Sequence, residues 1–361
     1  MLTAALLLPL LLQDPGNRPR VRETGITIGR LPVGKLNAIT DVAGVRVGHV
    51  TLIEGDAIRT GVTVILPHGG NPFRGKVPAA AVIGNGYGKL VGYTQIKELG
   101  ELESPIALTN TLNVGKVADA LVGWVLAQKG NERVRSVNVV VGETNDGVLN
   151  DIRGRHVEAE HVLKAIATAR DGPVAEGTVG AGTGTRCFGY KGGIGTSSRL
   201  VAGYTVGALV QTNFGGTLRI AGREVPASAL EKRDDRDPEE GSCMMVLATD
   251  APLCARNLER LARRALAGMA RTGASFSNGS GDYVIAFSTA ESLRIRSPAK
   301  SPLTGGSVLR NDRTSALFVA AAEATEEAIL NSMFRATAVE SKSGKARALP
   351  VDRVIDWWKK Q

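Results

Sequence analysis

One unbroken apolar run stands directly behind a charged segment. Asp237-Pro238-Glu239-Glu240 gives way at Gly241-Ser242 to Cys243–Ala248, six residues with no polar interruption. A run of that length, bounded by turn signals, has the signature of a strand buried on both faces. Thr249-Asp250-Ala251-Pro252 then reads as a helix start, with a capping side chain and an early proline. The pattern carries that helix to Arg271, with Leu253, Leu258, Leu261, Leu266 and Met269 on its buried side and its arginines on a solvated one.

Elsewhere the chain alternates between strand-like and helix-like periods. Ile39–Val50, Val62–Leu66, Ala79–Ile83, Ser136–Val141, Leu200–Val210 and Tyr283–Phe287 read as strands. Val114–Lys129, Glu158–Arg170 and Ser315–Ala336 read as helices with one core face each. Gly84–Lys89, the glycine-rich stretch Gly177–Arg199 and the polar Ser275–Asp282 read as turns. The run Gly177–Arg199, with Gly180–Thr185 and Gly192–Ser198 inside it, also offers backbone N–H groups that could cradle an anion, although a set of tight turns is the favoured reading. No linker or internal repeat divides the chain. The expected architecture is one α/β unit with buried, mixed strands covered by helices.

Met1–Leu12 is mostly apolar and too short to span a bilayer. It resembles a signal-peptide core, although a positive n-region and an A-x-A site are missing. The reading places a leader within residues 1–20 and a single domain over residues 21–361, with Asn17–Glu23 as a polar spacer. It implies a secreted or periplasmic protein, leaves the cytoplasm open, and gives no stable membrane association.

Hydrophobic residues make up 43% of the 361 positions and charged residues 22%, which calls for a packed core rather than disorder. The formal charge of +9 raises the question of nucleic acid. The lysines and arginines are scattered, however, without aromatic interleaving or a helix-turn-helix or zinc-finger spacing, so no nucleic-acid partner is expected. Three cysteines and four histidines show no metal-ligand spacing, and no metal is expected.

The chemistry therefore has to come from hydroxyls, amides and carboxylates. No G-x-S-x-G elbow is present. Ser297-Pro298-Ala299-Lys300 has the S-x-x-K spacing, but Pro298 and Pro302 straddle the lysine and argue for a loop. Ser242 is the stronger candidate. Cleavage of the chain before it would free an α-amine of pKa about 7.7–8.0, a base that an amide nitrogen cannot be. Amide hydrolysis also needs a proton relay and an oxyanion donor. Ser280 with Asp282, and Asn213 at another strand end, could supply them.

Taken together, several segments make the chain recognisable. They are Asn37–Val42, Gly86–Leu90, Leu108–Leu112, Gly180–Arg199, Val210–Gly215, Gly241-Ser242 with Ala248–Leu253, and Arg271–Gly273 through Ser280-Gly281-Asp282. Over about Asn37 to Ala336 the chain resembles the L-aminopeptidase/D-esterase and β-aminopeptidase family, the DmpA and BapA type. The resemblance implies a four-layer αββα sandwich, similar to N-terminal nucleophile hydrolases and shared with ornithine acetyltransferases. It implies self-cleavage between Gly241 and Ser242 into an α chain ending at residue 241 and a β chain of residues 242–361. It implies assembly into tetramers of αβ units and no cofactor. The expected substrates are short peptides or aminoacyl amides and esters, from which an N-terminal residue (α-L, D or β) is released.

Residue by residue, Ser242 matches the nucleophile, Ser280 and Asp282 the assisting pair, and Asn213 the oxyanion donor. Glu143 matches the acid that holds the substrate's free amino group. Asn145, the second expected substrate-binding position, stands where the D-esterase type has a tyrosine, a departure that leaves open that type's Tyr-assisted transfer and D-residue preference. Two rivals stand beside this reading. One is an unprocessed, non-catalytic homologue. The other is an acyltransferase of the ornithine acetyltransferase type, against which Ser242 argues because those enzymes use threonine.

Overall fold

The structure is a computed structural model that describes residues 18–230, 240–299, 301–303 and 305–361. The segment read as a leader lies outside the described residues up to position 17, as do Asp237–Glu239 and Lys300.

Two sheets face each other. The first has five strands: β1 (Arg46–Glu54), β2 (Ile58–Leu66), β4 (Leu90–Val91), β5 (Ile106–Asn110) and β6 (Val140–Thr144), in the order β1-β2-β5-β6-β4. The second has seven. Its main path runs β7 (Gly193–Val201), β8 (Tyr204–Asn213), β9 (Glu240–Thr249), β10 (Gly279–Ser288) and β3 (Gly75–Gly86), with short strands Ile295–Arg296 and Glu101–Leu102 paired to β3. β9 is therefore central, antiparallel to β8 and parallel to β10. A parallel pair needs a crossover, and α4 (Ala255–Arg271) supplies it.

The alternation along β9 shows why its sequence is apolar throughout. Met244, Val246 and Ala248 point into the gap between the sheets, where they meet Ile65, Leu108 and Val140. Cys243, Met245 and Leu247 join the opposite cluster, under α4 and α5 (Ser315–Phe334). The outer face of the five-stranded sheet is covered by α2 (Val114–Leu126) and α3 (Ala159–Ala167). Four layers result, helix–sheet–sheet–helix, as the resemblance implied.

Several boundaries differ from the sequence reading. Leu200–Val210 is not one strand but the junction of β7 and β8, joined by a tight hairpin at Ala202-Gly203. Both turn residues have positive φ there, the twist-matching geometry of a two-residue hairpin. Gly193–Ser198 lies in a buried strand rather than an anion cradle: the N–H groups that the ladder with β8 does not use are taken inside the fold, Ile194 by the Gly177 carbonyl, Thr196 by Glu176 Oε1 and Ser198 by Asn37 Oδ1. Ser280 and Asp282 lie inside β10, not in a turn before it. The α4 helix begins at Ala255; Thr249 and Asp250 instead bond to the Ala251 and Thr205 amides.

The helix α5 departs most from expectation. It is buried along nearly its whole length, including Glu323, Glu326 and Glu327. Fully buried Arg199, on β7, pairs with Glu327 at 2.7 Å and Glu323 at 3.3 Å. Residues read as a spacer form an arm over this helix. Arg22 reaches Glu327 at 2.7 Å, Arg18 donates to the Phe334 and Leu349 carbonyls, and Val21, Ile26 and Ile28 are buried. Buried charge persists when it is paired and hydrogen-bonded, as Arg199, Glu323 and Glu327 are.

Candidate active site

Ser242 sits near the start of β9, on the side that faces the gap between the sheets, and is 5% exposed. Its Oγ donates to the carbonyl oxygen of Gly241 at 2.5 Å and accepts from the Gly281 amide at 3.3 Å. The hydroxyl thus lies against the carbonyl of the peptide bond that precedes it. Gly241 fits closely in this place: a Cβ would stand 3.2 Å from Phe214 Cα and from Ser280 Oγ.

The strands on either side deliver the other candidates. Asn213 is the antiparallel partner of Ser242 on β8. Its Oδ1 accepts from the Arg186 amide at 3.0 Å, which leaves Nδ2 as the free donor end. On β10, Ser280 is level with Gly241 and Asp282 with Cys243. Ser280 Oγ donates to Asp282 Oδ1 at 2.9 Å. Burial pushes the Asp282 carboxyl up to about 6, against the pull of the Ser280 hydrogen bond. Its second oxygen, Oδ2, is buried without a hydrogen-bond partner among the described residues.

Glu143 comes from the other sheet, at the end of β6, and is 2% exposed. Its Oε1 accepts from the Lys89 amide at 2.9 Å, and Thr111 Oγ donates to Oε2. Burial raises its pKa, and the Thr111 and Lys89 hydrogen bonds oppose that rise. The glycine-rich stretch read as a turn proves to be the bridge between the sheets. β3 ends at Gly86 beside Gly281, Tyr87 N–H donates to the Ser280 carbonyl, and β4 resumes beside Gly142. That crossing brings the Glu143 end of one sheet to the Ser242 end of the other.

Asn145 is not drawn in. It is exposed, and its Oδ1 accepts from the Gly147 amide, the habit of a turn residue. Tyr283, which the sequence reading passed over as the first residue of an apolar strand, is 4% exposed and lies against both Gly281 and Gly88. Its position two residues after Gly281, on the same strand face, was the available signal. Among the described residues no group of three or more His, Cys, Asp or Glu side chains is placed to hold a metal ion. The Ser297–Lys300 spacing depends on a lysine outside the described residues.

Comparison with known proteins gives a consistent picture. The profile of peptidase family S58 matches residues 37–347. The β-peptidyl aminopeptidase BapA of Sphingosinicella microcystinivorans is 44% identical, over 90% of this chain and 88% of that protein. A Burkholderia sp. β-aminopeptidase structure superposes with a TM-score of 0.86 at 45% identity, covering 95% of this chain and 99% of the other. The L-aminopeptidase D-Ala-esterase/amidase of Ochrobactrum anthropi, described as a variant of the Ntn hydrolase fold, gives the same TM-score at 35% identity and the same coverage.

Proposed function

The chain belongs to peptidase family S58, and from that premise we propose that it is a serine aminopeptidase that matures by cutting itself between Gly241 and Ser242. The observation that carries this is the Ser242 hydroxyl seated 2.5 Å from the Gly241 carbonyl oxygen at the head of a central, buried strand. In the proposed cut, Oγ attacks the Gly241 carbonyl carbon. The C–N bond to Ser242 breaks, the nitrogen takes the proton, and water hydrolyses the resulting ester. The products are an α chain ending in a Gly241 carboxylate and a β chain with a free Ser242 amine.

The mature reaction then reuses the same groups. The Ser242 amine takes the proton of its own Oγ as that oxygen attacks the substrate carbonyl. Asn213 Nδ2 stabilises the oxyanion. Ser280, backed by the Asp282 carboxylate, assists proton movement at the Gly241–Ser242 level. Glu143 holds the substrate's ammonium, since a carboxylate in a partly dry pocket makes a strong, directional contact with it. The substrates are short peptides and aminoacyl amides or esters. N-terminal β-residues are the first class to test, because BapA and the Burkholderia protein are β-aminopeptidases.

The resemblance also supports a homotetramer of αβ units, to be checked by sedimentation. Among the described residues no helix is long and apolar enough to cross a membrane. An exported protein would lose its leader before Arg18, which is buried and bonded to α5. The deciding experiment is intact-mass analysis of the purified protein together with turnover of β-alanyl, L-alanyl and D-alanyl p-nitroanilides. One uncut chain that turns over these substrates would remove the mechanism; two chains beginning and ending at Ser242 and Gly241, active on free-amine substrates only, would establish it.

A further inference from the structure

A substrate ammonium brings three N–H donors, and a site that accepts it well must offer an acceptor to each. Glu143 has already committed one oxygen to the Lys89 amide and the other to the Thr111 hydroxyl. Lone pairs remain on the carboxylate, but all lie on one side of the incoming group. A second acceptor has to come from elsewhere.

Tyr283 is placed to be that acceptor. It follows Gly281 by two residues on β10, so its ring shares the face that Ser242 and Gly281 present to the gap between the sheets. The ring edge runs beside the nucleophile: a Cβ on Gly281, whose amide donates to Ser242 Oγ, would stand 3.1 Å from Tyr283 Cε2. The hydroxyl end converges with Glu143. A Cβ on Gly88 would stand 3.0 Å from Glu143 Oε1 and 3.3 Å from Tyr283 Oη, so both oxygens lie close to the same side of Gly88. No hydrogen bond engages the Tyr283 hydroxyl among the described residues, although the side chain is 4% exposed. Burial, then the charges of Glu143 and Asp282, raise the phenol's pKa and keep it neutral at working pH.

We propose that Tyr283 is a second substrate-binding residue: its phenol oxygen, together with the Glu143 carboxylate, receives the free ammonium of the substrate's N-terminal residue. The inference rests on the reading of Glu143 given above. It assigns the tyrosine oxygen of this site to β10, whereas position 145, just past the end of β6, holds an exposed asparagine.

The test compares wild type, Tyr283→Phe and Glu143→Gln, each confirmed by intact mass to consist of processed chains, on β-alanyl and L-alanyl p-nitroanilide. Tyr283→Phe keeps the ring and removes only the hydroxyl. It should raise KM about tenfold or more, the loss of one hydrogen bond to a charged group, while kcat and the yield of processed chains stay near wild type. Unchanged KM in Tyr283→Phe with raised KM in Glu143→Gln overturns the role of Tyr283 alone. Unchanged KM in both overturns the Glu143 reading as well. A fall in kcat with KM unchanged also overturns the proposal, because the hydroxyl would then be acting on the reacting bond. Gly88→Ala offers a second route if the phenylalanine variant does not accumulate. Its methyl would stand against both oxygens and raise KM in the same way; an unchanged KM there counts against the proposal.

Discussion

Asn213 and Ser242 stand directly opposite each other on the antiparallel strands β8 and β9. Opposed residues project to the same face, so the amide reaches the space beside the hydroxyl without any loop having to place it. The Arg186 amide, bonded to Oδ1, fixes which end of the side chain points there. A donor held this way costs little reorganisation when charge develops. Asn213→Ala should therefore lower kcat by about 10²–10³-fold with a small change in KM, as loss of one oxyanion donor does elsewhere. Steady-state kinetics on processed enzyme decides this; a KM effect alone would contradict it.

Processing should depend on Gly241 and Ser242 in different ways. Ser242→Ala should remain a single chain and be inactive. Gly241→Ala should still cut, but slowly, because the added methyl meets Phe214 and Ser280 Oγ at 3.2 Å and pushes the carbonyl from the hydroxyl. Once cut, its turnover should approach wild type, since residue 241 is then a chain end. Time-resolved gels of the refolding precursor would show the delay, and equal cutting rates would count against the geometry described.

The pH dependence of cutting and of turnover should differ. The precursor has no Ser242 amine, so its cutting should report Asp282, whose carboxyl is raised to about 6 by burial. Below that value Asp282 is protonated and accepts poorly from Ser280; the cutting rate should climb as pH rises through about 6 and then level. Asp282→Asn should flatten the limb, and Ser280→Ala should slow the reaction by about 10²–10⁴-fold. In mature enzyme the neutral Ser242 amine is also needed, which moves the acid limb toward about 7.7–8.0. Identical profiles for the two reactions would refute this assignment.

Stability at low pH should track Glu327. Although burial works to raise its pKa, the hydrogen bond and charge of Arg22 and the charge of Arg199 hold it below the usual carboxylate value of 4.5. A depressed carboxylate stabilises the fold above its unfolded pKa, and that contribution is lost as pH falls through the folded value. Denaturant midpoints should thus drop below about pH 4.5, and less steeply in Glu327→Gln. At neutral pH, Arg199→Met should cost roughly 3–5 kcal/mol, because it leaves buried carboxylates short of their partner. Urea titration of both variants checks the pair.

What the sequence made legible was local and strongly patterned. Cys243–Ala248 announced a two-sided strand because every position is apolar, and Gly241-Ser242 marked its mouth. Contacts between layers were hidden. Gly192–Ser198 looks like a set of turns because its residues are small, yet they are small because α5 lies on the strand; a side chain at Gly195 would run into the Ala328 carbonyl. The burial of the α5 glutamates was not legible along the chain, since the partners of Glu327, Arg22 and Arg199, lie 305 and 128 positions away. Ser280 and Asp282 read as turn residues because polar side chains within a core strand are the exception that a functional site permits. Tyr283 fitted the apolar pattern too well to be noticed.

The position of β9 also fixes when the site can come into being. Its neighbours are β8, made before it, and β10, made after it, and the sheet is closed on one face by α5, near the end of the chain. A ribosome delivers these pieces in order. When Ser242 emerges, Ser280, Asp282 and the helix that the arm grips do not yet exist. On the proposed mechanism, the bond at Gly241–Ser242 would stay whole during synthesis, and completion of the last third of the polypeptide would be the clock that releases it.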